Sequence, residues 1–369
     1  MSDRTVKRAL QLVPLDREAE ERVWAVVRAA YAEREPERRA GPPLRWVVVF
    51  AALAVVVAAA AFSPPGRALV NAVRRTIGVD HAAPALFRLP APGRLLVSGP
   101  GGTWVVSADG SKRRLGDYTE AAWSPHGLFV IATAANQLAA VEPADGTVHW
   151  SIARKRITFP RWGGSRTDTR VAYLSGRRLH IVGGNGVGDT SPRGLTAARI
   201  APAWQPGNRR VLAYVTAAGR VQLLDADAGV VRWVSPAFPA PHALAWSRDG
   251  RRLALATAAR VVLLDPATGR KQVLAFAGVQ AVAFGPGGRL ALLRGRTVFE
   301  VRRGTVRPLF TAPGRLSGLA WSPDGRWLLT SLPAADQWIF VGRGRVLAVS
   351  HIARQFDGIS SLDGWMPGA

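Results

Sequence analysis

The stretch GLAWSPDGRWLLTS (Gly318–Ser331) reads as two short strands about a tight turn. Ser322-Pro323-Asp324-Gly325 supplies the turn: proline presets φ at its second position, and glycine accepts a positive φ further on. Apolar residues alternate on both sides, as in a half-buried hairpin. An isolated hairpin is marginal in water, so this one needs a neighbour to cover its apolar face.

The neighbours are further copies of itself. HALAWSRDGRRLALAT (His242–Thr257) and QAVAFGPGGRLALLR (Gln280–Arg294) repeat the phrase closely. IAPAWQPGNRRVLAYVT (Ile200–Thr216), EAAWSPHGLFVIAT (Glu120–Thr133) and FPRWGGSRTDTRVAYLS (Phe159–Ser175) repeat it more loosely. The aromatic before the turn falls at Trp123, Trp162, Trp204, Trp246, Phe284 and Trp321, in steps of 39, 42, 42, 38 and 37 residues. A sustained period near 40 is the length of one four-stranded propeller blade.

Each copy is followed by a second hairpin, such as RVVLLDPATGRKQVL (Arg260–Leu274), RVQLLDADAGVVRWV (Arg220–Val234) and RLHIVGGNGVGDTS (Arg178–Ser191). A seventh second hairpin, GTWVVSADGSKRRL (Gly102–Leu115), precedes the first tryptophan copy. Seven second hairpins and six first hairpins imply a split blade. GRLLVSG (Gly93–Gly99) then supplies its second strand, and a strand within GISSLDGWMPG (Gly358–Gly368) its first. The competing strand for that place is PALFRLP (Pro84–Pro90). The expected architecture is all-β, a seven-bladed β-propeller over residues 86–369, with six and eight blades as the alternatives. The landmark aromatics are expected between blades, as core.

Trp-Ser-Pro-Asp-Gly followed by an apolar strand resembles the WD40-like repeats of TolB-type propellers, in six or seven copies over roughly residues 86–369. The resemblance implies a bacterial envelope protein that binds partners rather than catalysing, because such propellers serve as platforms and the fold by itself hosts many roles.

Residues 46–62, WVVVFAALAVVVAAAAF, are uncharged and apolar. As a helix they span about 25 Å against a hydrocarbon core of about 30 Å, and Trp46 and Phe62 suit the two interfaces. With 45 residues ahead of it, the segment reads as an uncleaved signal anchor; AAAAFS leaves cleavage as the alternative. Arg28, Arg34, Arg38, Arg39 and Arg45 precede the span and Arg67, Arg74 and Arg75 follow it. This bias places residues 1–45 in the cytoplasm and the propeller outside the membrane. Within residues 1–45, Leu15–Arg34 carries an apolar stripe at helical spacing behind an Asp16 N-cap. Residues 63–85 read as a linker.

The chain has no cysteine, which excludes disulfides and thiolate metal sites. Only Lys7, Lys112, Lys155 and Lys271 are lysine among its 49 basic residues, and the formal net charge is +24. Most of that excess falls on the propeller, so an anionic envelope polymer is an expected partner beside proteins. Nucleic acid is not expected, because basic residues are not interleaved with aromatics in a groove-like cluster.

The six histidines have no metal-ligand spacing, and there is no G-x-S-x-G, Walker or H-E-x-x-H motif. GGNGVG (Gly183–Gly188) and DADAG (Asp225–Gly229) read as hairpin turns. No enzyme activity, cofactor or metal is therefore expected. Residues four before each landmark aromatic should line one mouth of the central channel. They are Thr119, Thr158, Ile200, His242, Gln280 and Ser317. The five polar ones, Thr119, Thr158, His242, Gln280 and Ser317, are the candidate ligand contacts, against the alternative of a water-filled channel.

The order of inside helix, single span and outside propeller resembles the layout of transmembrane anti-sigma regulators, although their zinc-binding His/Cys motif is absent. That layout implies a sensory module that regulates a sigma factor. The alternative is a TolB-like envelope accessory or scaffold without a signalling role.

Overall fold

A computed structural model describes residues 88–165, 167–192, 195–207, 210–358 and 361–368. The amphipathic segment 15–34, the apolar span 46–62 and the linker 63–85 lie outside the described residues. Among the described residues no helix is long and apolar enough to cross a membrane.

Seven antiparallel sheets form the blades. In chain order, the first three strands are β1 (Arg94–Gly99), β2 (Gly102–Ser107) and β3 (Lys112–Gly116). The second blade is β4 (Glu120–Trp123), β5 (Val130–Ala134), β6 (Gln137–Val141) and β7 (Val148–Ala153). The third blade has β8 (Ile157–Gly164), β9 (Thr169–Ser175) and β10 (Arg178–Gly183). The fourth has β11 (Ala203–Trp204), β12 (Val211–Val215), β13 (Arg220–Asp225) and β14 (Val230–Ala237). The fifth has β15 (Pro241–Trp246), β16 (Leu253–Thr257), β17 (Val261–Asp265) and β18 (Arg270–Leu274). The sixth has β19 (Ala281–Phe284), β20 (Leu290–Arg294), β21 (Thr297–Arg302) and β22 (Thr305–Thr311). The seventh has β23 (Ser317–Trp321), β24 (Trp327–Leu332), β25 (Gln337–Gly342) and β26 (Arg345–Ser350).

The last strand, β27 (Ser361–Met366), completes the first blade in the order β27-β1-β2-β3. It runs antiparallel to β1, pairing Leu95 with Trp365 and Ser98 with Ser361. The ring thus closes with the C-terminal strand beside the N-terminal one, as the count of hairpins requires. Trp365 becomes the seventh landmark aromatic. β27 takes the place for which the stretch 84–90 competed; of that stretch the described residues Arg88–Pro90 are irregular.

The opening stretch shows why the repeat folds as it does. Ser322 N–H donates to Trp327 O at 2.9 Å and Gly325 N–H to Ser322 O at 2.9 Å. The Ser322 hydroxyl accepts from Trp327 N at 2.9 Å and donates to Asp324 Oδ1 at 2.6 Å. Asp324 Oδ1 also accepts from Arg326 N at 3.0 Å, so one serine and one aspartate satisfy the turn. Gly325 sits at φ +67°, a conformation that a side chain would strain. Ser247, Asp249 and Arg251 repeat the network in the fifth blade.

The core is a set of interblade clusters. Trp123, Trp162, Trp204, Trp246 and Trp321 are 5–9% exposed, and Phe284 is half-buried. Trp321 lies with Leu328, Ile339 and Ala291, side chains of two adjacent blades. Its Nε1–H donates to Ala283 O at 3.0 Å, in the blade before. Trp204 and Trp246 make the same bond to Arg161 O and Ala203 O, each at 3.0 Å.

The third blade departs from the expected pattern. Arg178–Ser191 reads as a hairpin, yet only β10 forms, and Thr190 makes an isolated bridge to Ile181. Asp189, beside that bridge, adds side-chain contacts. It accepts from Tyr173 Oη at 2.8 Å and from Arg154 Nη2 at 2.6 Å, and lies 3.2 Å from His180 Nδ1. Gly183–Gly188 is a turn, as expected, but among the described residues no fourth strand follows it.

Two measurements test this packing. Trp321→Ala removes a buried indole and its interblade hydrogen bond, and should lower unfolding stability by about 3–5 kcal/mol, read by chemical denaturation; a loss of a few tenths would show the indole to be dispensable. Deleting residues 361–369 leaves β1 with an unpaired edge. The truncated chain should lose its cooperative melting transition and aggregate, and an unchanged transition would show that β27 does not hold the ring.

Candidate functional site

The innermost strands contact one another in a ring, β27 to β4, then β8, β11, β15, β19, β23 and back to β27. The residues four before each landmark take equivalent places at the start of these strands. Thr119, His242, Gln280 and Ser317 are exposed, Thr158 is half-buried and Ile200 is buried. The seventh member, which closure adds, is Ser361.

Several of these groups are engaged within the wall. His242 Nε2 lies 2.5 Å from Val279 O of the next blade. Gln280 Oε1 accepts from Gly295 N at 2.9 Å, and Thr119 Oγ1 donates to Thr133 O at 3.4 Å. Ser317 O accepts from Thr330 Oγ1 at 3.2 Å. The structure therefore brings the predicted residues to one mouth and gives several of them bonds that tie strands together.

Deeper in, the innermost strands carry charge on one side only. Asp363 on β27, Glu120 on β4 and Arg161 on β8 come from three successive blades, while the facing strands show Ala203, Leu244, Ala245, Val282 and Ala283. Glu120 Oε2 accepts from Phe159 N at 2.5 Å, holding that residue at φ +56°. Asp363 Oδ1 accepts from Ser361 Oγ at 3.0 Å, and Oδ2 is buried without a partner. Burial pushes the Asp363 carboxyl up to about 7, against the pull of the Ser98 and Ser361 hydroxyls and of Arg161, while Glu120 adds to the rise. Burial likewise holds Arg161 below its usual range, opposed by Asp363 and Glu120. Sequence reasoning passed over these charges because their strands are far apart along the chain.

The larger feature is at the opposite end, where the turns joining first to second and third to fourth strands emerge. Two clefts of about 770 and 730 Å³ adjoin there, sharing Gly287, Arg289 and Arg343. They cross the turns of the fifth, sixth and seventh blades and reach Pro90 and Pro92 ahead of β1.

Arginines line the clefts in two classes. Arg289 is fixed: its Nε donates to the buried Glu300 carboxylate at 2.5 Å, and its guanidinium lies 4.3 Å from the centre of the Trp321 ring. Arg302 Nε takes the other Glu300 oxygen at 2.7 Å. Arg326 stands 3.9 Å from Asp324. Among the described residues, Arg252, Arg303, Arg343 and Arg345 make no ion pair. All four are exposed. The arrangement is a preformed floor with exposed cationic groups around it. Guanidinium forks match carboxylates in bidentate geometry, so it suits an anionic partner.

The channel carboxyl gives a pH test. Folded Asp363 keeps its proton up to about pH 7, whereas the unfolded chain releases it near about 4. Its contribution to stability is complete below about pH 4 and is lost as pH rises through about 7. Asp363→Asn stays neutral throughout, so it should raise the melting temperature at pH 8 relative to the parent and change it less at pH 4.5. Equal shifts at both pH values would show that Asp363 does not ionise in this range.

Comparison with known proteins bears on the fold. The model described as "WD domain, G-beta repeat" matches residues 306–341. That span begins in β22, the outer strand of the sixth blade, and ends in β25 of the seventh. The sequence repeat is thus offset by one strand from the blade, which is why one blade must be assembled from both chain ends. No curated protein matches the sequence. A chain of the solved structure "Crystal Structure of Mitotic Checkpoint Complex" is similar, with a TM-score of 0.56 and 19% identity over 71% of this chain and 93% of that one. The Cps50 (Swd1) beta-propeller domain of Myceliophteria thermophila is also similar, with a TM-score of 0.52 and 16% identity over 63% of this chain and 86% of that one. At such identities the likeness is one of fold. The chain is an all-β, seven-bladed β-propeller that carries a WD40-type repeat at residues 306–341.

Proposed function

We propose that the chain is a membrane-anchored binding propeller whose arginine-lined turn face takes an acidic segment of a protein partner. The observation that carries this reading is the set of four arginines without an ion pair, Arg252, Arg303, Arg343 and Arg345, around two joined clefts. The floor beneath them is rigid, because Arg289, Glu300 and Trp321 lock the sixth blade to the seventh. A rigid cationic surface loses little order on binding, and its charge steers an anionic partner to it. WD40 propellers as a class serve protein interaction, and no catalytic group is part of this reading.

The sequence supports the rest of the layout. The uncharged run 46–62 is the anchor, and the arginine bias around it puts the propeller on the extracytoplasmic side. The apolar stripe over Leu15–Arg34 favours a transmembrane regulator, of a sigma factor in the layout it resembles, over an envelope scaffold, for which such a stripe has no use.

Titrating the purified full-length protein into fluorescein-labelled hexaglutamate tests the face. Arg303→Glu with Arg343→Glu should weaken binding about tenfold, while Arg260→Glu, at the opposite end of the fifth blade, should change it little. Equal losses would assign the binding to diffuse charge, and preference for a glycerol-phosphate polymer over the peptide would assign the face to an envelope polymer. For topology, reporters fused at residue 40 and residue 369 should report opposite compartments; the same compartment for both would remove the anchor.

A further inference from the structure

A separate cleft of about 470 Å³ lies between the second and third blades. This is within the size range of small-ligand sites, roughly 300–1,000 Å³. Its walls are aromatic. The rings of Trp150, on β7, and Trp162, on β8, are 6.4 Å apart and tilted by 58°. Phe129 stacks on Trp162 at 6.0 Å.

The cleft is held in shape. Trp150 Nε1–H donates to Gly184 O at 2.8 Å, and a Cβ at Gly186 would come within 2.8 Å of the same ring. The loop Gly183–Gly188 therefore clamps the indole, and Gly186, at φ +82°, is the residue that lets it approach. Trp162 is 8% exposed, and its Nε1–H has no acceptor among the described residues. Its counterparts Trp204, Trp246 and Trp321 each donate to the preceding blade.

The charges around the cleft are already paired. Asp168 is bound by Arg170, whose Nε lies 3.4 Å from Asp227 Oδ1, and His149 faces Glu142 at 2.9 Å. Asn185 uses its Oδ1 on Val187 N at 3.1 Å. Among the described residues its NH2 makes no bond, and neither does the Thr167 hydroxyl. What the cleft offers is thus two apolar ring faces at an angle with uncharged hydrogen-bonding groups at the edge.

The geometry points to a neutral carbohydrate as the ligand. A flat heteroaromatic ring could stack on one indole only, because rings tilted by 58° leave no parallel-sided slot for it. A cation would meet the ring faces but no unpaired carboxylate, because Asp168 is bound by Arg170. A saturated sugar ring is thick, lays its C–H face on one indole and turns its hydroxyls to Asn185 and Thr167. This site stands apart from the arginine face and does not depend on the reading given to it.

The test uses full-length protein in a detergent without a sugar headgroup, applied to an array of neutral and anionic glycans, with tryptophan-fluorescence titration of each glycan bound. At least one neutral glycan should bind. Trp150→Ala should then weaken it about tenfold or more. Asn185→Ala, which removes the unbonded amide NH2 together with the Oδ1 that Val187 N binds, should weaken it severalfold with an unchanged melting temperature, and so remains decisive even where Trp150→Ala fails to fold. Arg303→Glu with Arg343→Glu should leave glycan binding intact. Binding of no neutral glycan, binding of anionic glycans alone, or undiminished affinity in Asn185→Ala and in folded Trp150→Ala overturns the assignment.

Discussion

The ring depends on one repeated contact, in which an indole on four of the seven innermost strands reaches back to the blade before it. Trp204, Trp246 and Trp321 donate to the carbonyl of the residue just ahead of the previous landmark, at 3.0 Å in each case. Trp123 does so at 3.4 Å, to Gly364. The contact combines burial of a large apolar surface with a satisfied N–H, a pairing that a bulky aromatic needs inside a protein. It also fixes the angle between sheets, because the indole is planar and the acceptor is backbone. The receiving side is cut to fit: a Cβ on Gly163 would lie 2.1 Å from Trp204, and one on Gly285 would lie 2.7 Å from Trp321. Phe284 has no N–H to donate to the fifth blade, and Arg252 of that blade lies 6.0 Å from the centre of its ring instead.

This contact explains how much of the fold is legible in the sequence. A buried tryptophan before a Ser-Pro-Asp-Gly turn is local information, since the serine and aspartate that close the turn are within five residues of each other. The surplus of second hairpins is likewise local, and it forces the chain ends together as β27 beside β1. The third blade is legible only in part. Gly183–Gly188 and the residues after it have the composition of a hairpin, but the return stretch keeps one bridge to β10, at Thr190, and otherwise contacts Arg154, Tyr173 and His180 through the Asp189 side chain.

The sites were harder to read, for a related reason. Position along a strand predicts which residues share the channel mouth, and the structure sets Thr119, Thr158, His242, Gln280 and Ser317 there. It does not predict which of them are already bonded. The arginine face draws Arg252, Arg303, Arg343 and Arg345 from three blades and the aromatic cleft draws Trp150 and Trp162 from two, so neither has a spacing. Both lie where turns and blades meet, and such junctions are set by how blades pack rather than by the period within each one.

Departures from the repeat are informative because the repeat itself is structural. Where blades agree, side chains satisfy one another: the turn serine binds its aspartate, and the indole binds its carbonyl. Three departures leave something over. Among the described residues the third blade has three strands, and Trp162 has an unpaired N–H beside an open cleft. The closing blade substitutes Asp363 into an otherwise apolar strand position and leaves one carboxylate oxygen without a partner. The sixth and seventh blades carry more guanidinium groups than Glu300 and Asp324 can neutralise. A residue kept against the pattern costs stability in a ring held by repetition, since unpaired polar atoms are expensive when buried. The physical case for function is therefore strongest where this chain departs from its own repeat, and weakest at the channel mouth, where the polar groups are largely engaged in holding the strands.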